Sequence, residues 1–98
     1  MFPKIKRVKD PAAIDAVRSP YSEISGEPTY GAPPHHVITV GSGGPDHRYN
    51  LIQTTGAEHI DCHNGKYSKK YLFSIIAKRE NVTVKYLLTQ IRRMRREG

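Results

Sequence analysis

The chain has 98 residues, is 37% hydrophobic, contains no Trp and carries a formal charge of +7. That length suits one domain, 1–98, with a small core, and the lone cysteine, Cys62, excludes an intrachain disulfide. No long apolar run is present, so neither a membrane span nor a secretory leader is expected, and the single thiol fits a reducing, cytoplasmic setting.

Residues 1–10 are basic and read as an extended arm carrying Lys4, Lys6, Arg7 and Lys9. "DPAAIDAVRS" reads as a short helix, with Asp10 as its N-cap and Pro11 at the first helical position. "PYSEISGEPTYGAPP" holds four Pro and two Gly in fifteen residues and reads as turn and loop. "HHVITV", residues 35–40, is rich in β-branched side chains and predicts a strand. "GSGGPDH" predicts a turn, and "RYNLIQ" a second short strand or extended piece.

A helix is expected from about Thr54 or Thr55, because Thr55 and Glu58 have the spacing of a capping box, and Asn64-Gly65 should end it. Ser68 can cap a further helix over 69–80, with Leu72, Phe73, Ile75 and Ile76 clustered on one side. Thr83 can cap a last helix running to about Arg96, with Val84, Leu87, Leu88 and Ile91 on one face and four arginines in "RRMRRE".

Charge divides the chain. Residues 1–65 carry six basic and seven acidic side chains, a net of −1; residues 66–98 carry ten and two, a net of +8. A nearly neutral histidine-bearing segment, about 33–65, thus precedes a cationic helical region, 66–98, suited to a polyanion. Lys66, Lys69, Lys70, Lys78, Arg79, Lys85, Arg92, Arg93, Arg95 and Arg96 are the candidate phosphate contacts there, with Arg48 the candidate beside the histidines.

All five histidines lie between Pro33 and His63. His59 and His63 are four apart, so on a helix both imidazoles can reach one ion. His35 and His36 are adjacent in a strand, so they point to opposite faces. One can ligate an ion while the other remains a free imidazole able to take a proton near neutral pH. Three imidazoles plus an open position form a catalytic rather than a structural metal site. His47, in the turn, is expected to be solvated or near the substrate, and Cys62 to pack against the strands.

The order His35-His36, Asn50, His59, His63 resembles the HNH endonuclease family, built on a ββα-metal (His-Me finger) core, and the later spacings resemble those of the nuclease colicins. "PHHVITVGSGGPDHRYNLI" is similar to the "PHHI…R-G-x-GG-x-D…NLI" segment of small phage-type HNH proteins; the likeness runs from Ser22 to about Leu72, roughly half the chain. It implies an α+β fold, a ββα-metal core with flanking helices, two of them C-terminal. It assigns His35, His59 and His63 as metal ligands, His36 as the general base, and Asn50 as the residue bracing the loop between the strands. Many members also carry two C-x-x-C pairs that bind a structural zinc. Those positions fall here on Ser22, Ser25, Thr55 and Glu58, so a tetrathiolate site is not expected and the capping box stands in its place.

The expected activity is metal-dependent hydrolysis of DNA phosphodiester bonds, one strand at a time, by a monomer or weak dimer, in a phage setting serving DNA processing or packaging within the bacterial host cytoplasm. Zinc is the ion expected to copurify; manganese, magnesium, nickel or cobalt could support turnover. The alternatives are a non-catalytic basic DNA-binding protein with a stabilising zinc, and an RNA-directed nuclease.

Overall fold

The computed structural model describes residues 7–97. Four helices, α1 (Pro11–Val17), α2 (Gly56–His63), α3 (Lys69–Glu80) and α4 (Val84–Glu97), accompany two strands, β1 (His35–His36) and β2 (Leu51–Ile52). The strands pair antiparallel, His35 opposite Ile52 and His36 opposite Leu51, which makes this a small α+β fold. No helix among the described residues is long and apolar enough to cross a membrane.

Each helix begins at a side-chain cap. Asp10 accepts from the amides of Ala12 and Ala13, Ser68 from Tyr71 and Thr83 from Tyr86. At α2 the reciprocal box is complete: Thr55 Oγ1 accepts from the Glu58 amide at 3.1 Å, and the Glu58 carboxylate from the Thr55 amide at 2.9 Å. Asn81, in the left-handed region at φ 56°, ends α3 and turns the chain into α4.

The apolar stripes of α3 and α4 meet over the strands. Val37, Ile52, Leu72, Phe73, Ile76, Ala77, Leu87 and Ile91 form the buried cluster, with Ile75, Val84, Leu88 and Cys62 half-buried against it. Burial of each large aliphatic side chain stabilises the fold by about 1.5–3 kcal/mol. Arg79 crosses from α3 to the loop before the sheet. It donates to Glu23 at 2.8 Å and to the Leu51 carbonyl at 3.1 Å, tying the helical region to the strands.

The strand expected over 35–40 stops at His36. The Asn50 side chain replaces a strand partner beyond that point. Its Oδ1 accepts from the Ile38 amide at 2.8 Å, and its Nδ2 donates to the Ile38 carbonyl at 3.0 Å and to the Pro45 carbonyl at 3.1 Å. A 3-10 turn, Val40–Ser42, then reverses the chain. The second expected strand likewise shrinks, because Arg48–Asn50 form a 3-10 turn capped by His47. Gly44 is required here: a Cβ would lie 1.8 Å from the Ile38 carbonyl oxygen.

Part of the expected N-terminal arm is docked rather than free. Arg7 donates to the Gly44 carbonyl at 3.2 Å, and the Asp46 amide donates to the Val8 carbonyl at 2.9 Å. Lys4 and Lys6 lie outside the described residues.

Candidate metal centre

β1 and α2 bring three imidazoles to one point. His35 is buried on β1, and its ring centroid lies 4.8 Å from that of His59 and 5.3 Å from that of His63. His59 and His63, one turn apart on α2, place their Nε2 atoms 2.9 Å from each other. One nitrogen from each of the three residues falls within 4.8 Å of the others. Ligand nitrogens ~2.0–2.1 Å from a tetrahedral ion stand ~3.3 Å apart, between the contact of the α2 pair and the span of the set.

Burial and the neighbouring imidazoles favour the neutral form of His35 and His59. Burial first, then the neighbouring imidazoles of His59, His63 and His36, lower His35 to about 4. Burial, then His63 and His36, also lowers His59. Lone pairs on His35 and His59 are therefore available at neutral pH, as a divalent ion of the zinc type needs. The donor set fits a metal ion; it does not select which one.

His36, the next residue on β1, is not among the three that converge. Its Nε2 lies 2.8 Å from Asp46 Oδ1. Asp46 is 5% exposed and also accepts from Arg7 and, at 3.0 Å, from the Asp10 amide. Burial alone would raise the Asp46 pKa. The hydrogen bonds from His36, Arg7 and Asp10, with the charge of Arg7, prevail and lower it. A carboxylate at Nε2 fixes the proton on that nitrogen and leaves Nδ1 as the acceptor. His36 nevertheless lines the same open cleft as His35, His59 and His63, about 320 Å³ in volume, closed on one side by Thr39, Val40 and Gly41.

Sequence reasoning gives Asp46 and Arg7 no role. Asp46 falls on the Asp of the G-x-GG-x-D segment with no role attached, Arg7 is one cation of the basic arm, and nothing local joins residues 39 apart. Asn50, bonded to Ile38 and Pro45, sits under the turn between the strands and is fully buried.

The candidate phosphate contacts are dispersed. Arg48 pairs with Glu80 at 2.6 Å and lines a second cleft with Asp10, Ala13 and His47, rather than the histidine cleft. Lys66 is exposed and pairs with Asp61 at 3.5 Å; Lys69 and Lys70 are exposed at the start of α3. Arg92, Arg93 and Arg95 are exposed on α4, and Arg95 Nη2 donates to the Ser42 carbonyl at 2.7 Å, beside the cleft wall. The Arg96 side chain lies outside the described residues. His47 is half-buried: its Nδ1 accepts from the Tyr49 amide at 3.1 Å, and its ring meets Tyr49 edge to face.

Ser22, Ser25, Thr55 and Glu58 lie together at the start of α2. Ser22 Oγ donates to Glu58 Oε1 at 2.5 Å and accepts from the amides of Ile24 and Ser25. Burial opposes ionisation of Glu58, but hydrogen bonds from Ser22, Ser25 and Thr55 lower its pKa. A polar knot of hydrogen bonds therefore joins the loop to the helix that carries two of the three imidazoles.

No family model matches the chain, and no solved structure matches it. A protein from Chlamydomonas moewusii, an uncharacterized 38.5 kDa protein in psbA intron 1, is 48% identical over 33 residues, which is 34% of this chain. The aligned stretch spans about a tenth of that protein, 10% of its length. The two chains thus share sequence over a short stretch. The fold and its side chains define an α+β protein with three histidines placed to hold a metal ion.

Proposed function

We propose that the protein is a metal-dependent endonuclease of the HNH type, with a ββα-metal core formed by β1, β2 and α2, hydrolysing phosphodiester bonds of DNA. One observation carries this reading: three imidazoles converge, while a fourth, His36, lines the same cleft with its Nε2 bound to a carboxylate. A purely structural site has no use for an oriented, unligated imidazole beside it.

His35, His59 and His63 would hold the ion. When bound, it supplies Lewis-acid stabilisation of the negative charge that develops at the scissile phosphate. The chain's own residues do the rest. His36 Nδ1 accepts a proton from the attacking water, while its Nε2–H remains on Asp46. Asp46 stabilises the imidazolium that forms, and Arg7 and the Asp10 amide hold the carboxylate still. Asn50 braces the turn through Ile38 and Pro45, which fixes the strand that presents both His35 and His36. The water oxygen bonds to phosphorus, the P–O3′ bond breaks, the departing 3′ oxygen takes a proton from solvent water, and the products are a 5′-phosphate and a 3′-hydroxyl. One site per chain cuts one strand, so nicking is the expected outcome.

The test is nicking of supercoiled plasmid with zinc, manganese, magnesium, nickel or cobalt, comparing wild type with His36→Ala. A base contributes ~10²–10⁴-fold. The variant should lose that factor while binding one ion as before. Plasmid left intact by wild type with every metal would discard the nuclease and leave a basic DNA-binding protein with a stabilising ion. Cleavage of RNA in preference to DNA would move the substrate class.

A further inference from the structure

We propose that duplex DNA reaches the histidine cleft along one edge of α4, formed by Lys85, Arg92 and Arg95, and that Arg93 plays no part in holding it. The proposal rests on the nuclease reading for what happens in the cleft, but not for the binding edge itself. The geometry begins at Arg95. Its Nη2 donates to the Ser42 carbonyl at 2.7 Å, and a Cβ on Gly43 would sit 4.0 Å from its Nε. Ser42 directly follows Thr39, Val40 and Gly41, which wall the histidine cleft. The basic end of α4 is therefore fastened to the outside of that wall, although 53 residues separate Arg95 from Ser42.

Helical geometry then sorts the cations. Leu87 and Ile91 face the core. At about 100° per residue, Arg95 lies about 40° from Ile91, continuing the core-facing stripe beyond its last apolar residue, and Arg92 at about 100° and Lys85 at about 120° lie on the adjoining flank. Arg93 lies about 200° away, on the side opposite the core. Tyr86, about 220° from Ile91, lies beside Arg93 on this far side, its ring centroid 6.3 Å from that of Tyr49. Lys85, Arg92 and Arg95 are exposed, and no acidic residue occurs between Val84 and Arg95. From Lys85 to Arg95 the axis rises about 15 Å, roughly four base-pair steps of a duplex. Arg95 uses one of its five N–H donors on Ser42, which leaves the rest of the fork for a phosphate. A cationic edge that ends on the cleft wall suits a regular polyanion whose next phosphate falls inside the cleft.

The experiment is fluorescence anisotropy with a labelled 20-base-pair duplex, in EDTA so that no metal-dependent cutting occurs, over a series of salt concentrations. Each phosphate contact adds about 0.9 to the slope of log K against log salt. The double variant Lys85→Gln/Arg92→Gln should lower that slope by about two and weaken binding roughly 50-fold at 0.1 M salt. Arg93→Gln should leave slope and affinity within twofold of wild type. Thermal melts of these exposed-site variants should overlay wild type, which separates lost contacts from lost structure. The proposal is overturned if Arg93→Gln matches Arg92→Gln, if the double variant keeps the wild-type slope, or if wild type does not bind the duplex. Poly-glutamate of equal charge binding as tightly as the duplex would also overturn it, in favour of an acidic protein partner. Edge-dependent duplex binding without plasmid nicking keeps the edge and discards the cleft chemistry; nicking with edge-independent binding does the reverse.

Discussion

Asp46→Asn separates a catalytic role for the His36 pairing from a purely structural one. The carboxylate accepts three hydrogen bonds, from Arg7, His36 and the Asp10 amide, at a position 5% exposed. Asparagine keeps the shape but removes the charge and turns one acceptor into a donor. The Arg7 side chain, 17% exposed, is left without its counter-charge. Breaking a buried pair costs about 3–5 kcal/mol, and a charged hydrogen bond contributes about 1.5–3; partial exposure brings the expected loss to about 2–4 kcal/mol. Urea unfolding measures it. The catalytic effect is separate. The amide oxygen keeps the Oδ1 position that accepts from both Arg7 and His36, so the Nδ2 meets the Asp10 amide and His36 loses the negative charge that stabilises its imidazolium. The nicking rate at saturating plasmid and metal should fall ~10²–10⁴-fold, with ion binding retained. A variant destabilised as expected but nicking within a few-fold of wild type would show that Asp46 only holds the arm. Unchanged stability would refute the pairing itself.

Burial dictates two further perturbations. Thr54 is fully buried, and its Oγ1 has no hydrogen-bond partner among the described residues. Thr54→Val removes that unsatisfied group at nearly constant volume and should raise stability by about 1 kcal/mol in the same urea assay; destabilisation would mean that the hydroxyl is satisfied. His35, lowered from 6.5 to about 4, binds fewer protons in the folded chain than in the unfolded one. Its contribution to the metal-free protein is therefore fully present above about pH 6.5 and drains away as pH falls towards 4. Wild type without metal should lose on the order of 2–3 kcal/mol across that window through this group, and His35→Gln should lose correspondingly less. Parallel pH profiles for the two proteins would contradict the buried, neutral imidazole.

What was legible in the sequence was local. Helix starts are written in single caps, Asp10, Thr55, Ser68 and Thr83, and the apolar spacing of Leu72, Ile76, Leu87 and Ile91 marks the core faces. The His59–His63 pair needs only a helix to converge, and that helix forms. The strands are shorter than expected because Ile38, Thr39 and Val40 have strand-like side chains, yet the Asn50 amide and the turn before Gly44 take their backbone groups instead. The Arg7–Asp46–His36 chain was not legible, since it joins the arm, the turn and β1 through tertiary packing alone. Arg48 stands near the histidines in sequence but turns to Glu80, whereas Arg95, distant in sequence, comes to the cleft wall. Sequence proximity says little about which cation reaches a site assembled from a hairpin and a helix.

The most direct measurement is calorimetric titration of a divalent ion, zinc first, into metal-free wild type, His59→Ala and His36→Ala. One ion per chain should bind wild type and His36→Ala alike, and His59→Ala should lose it. Equal loss in His36→Ala and His59→Ala, or no stoichiometric binding by wild type, would contradict a centre built from His35, His59 and His63 with His36 left free.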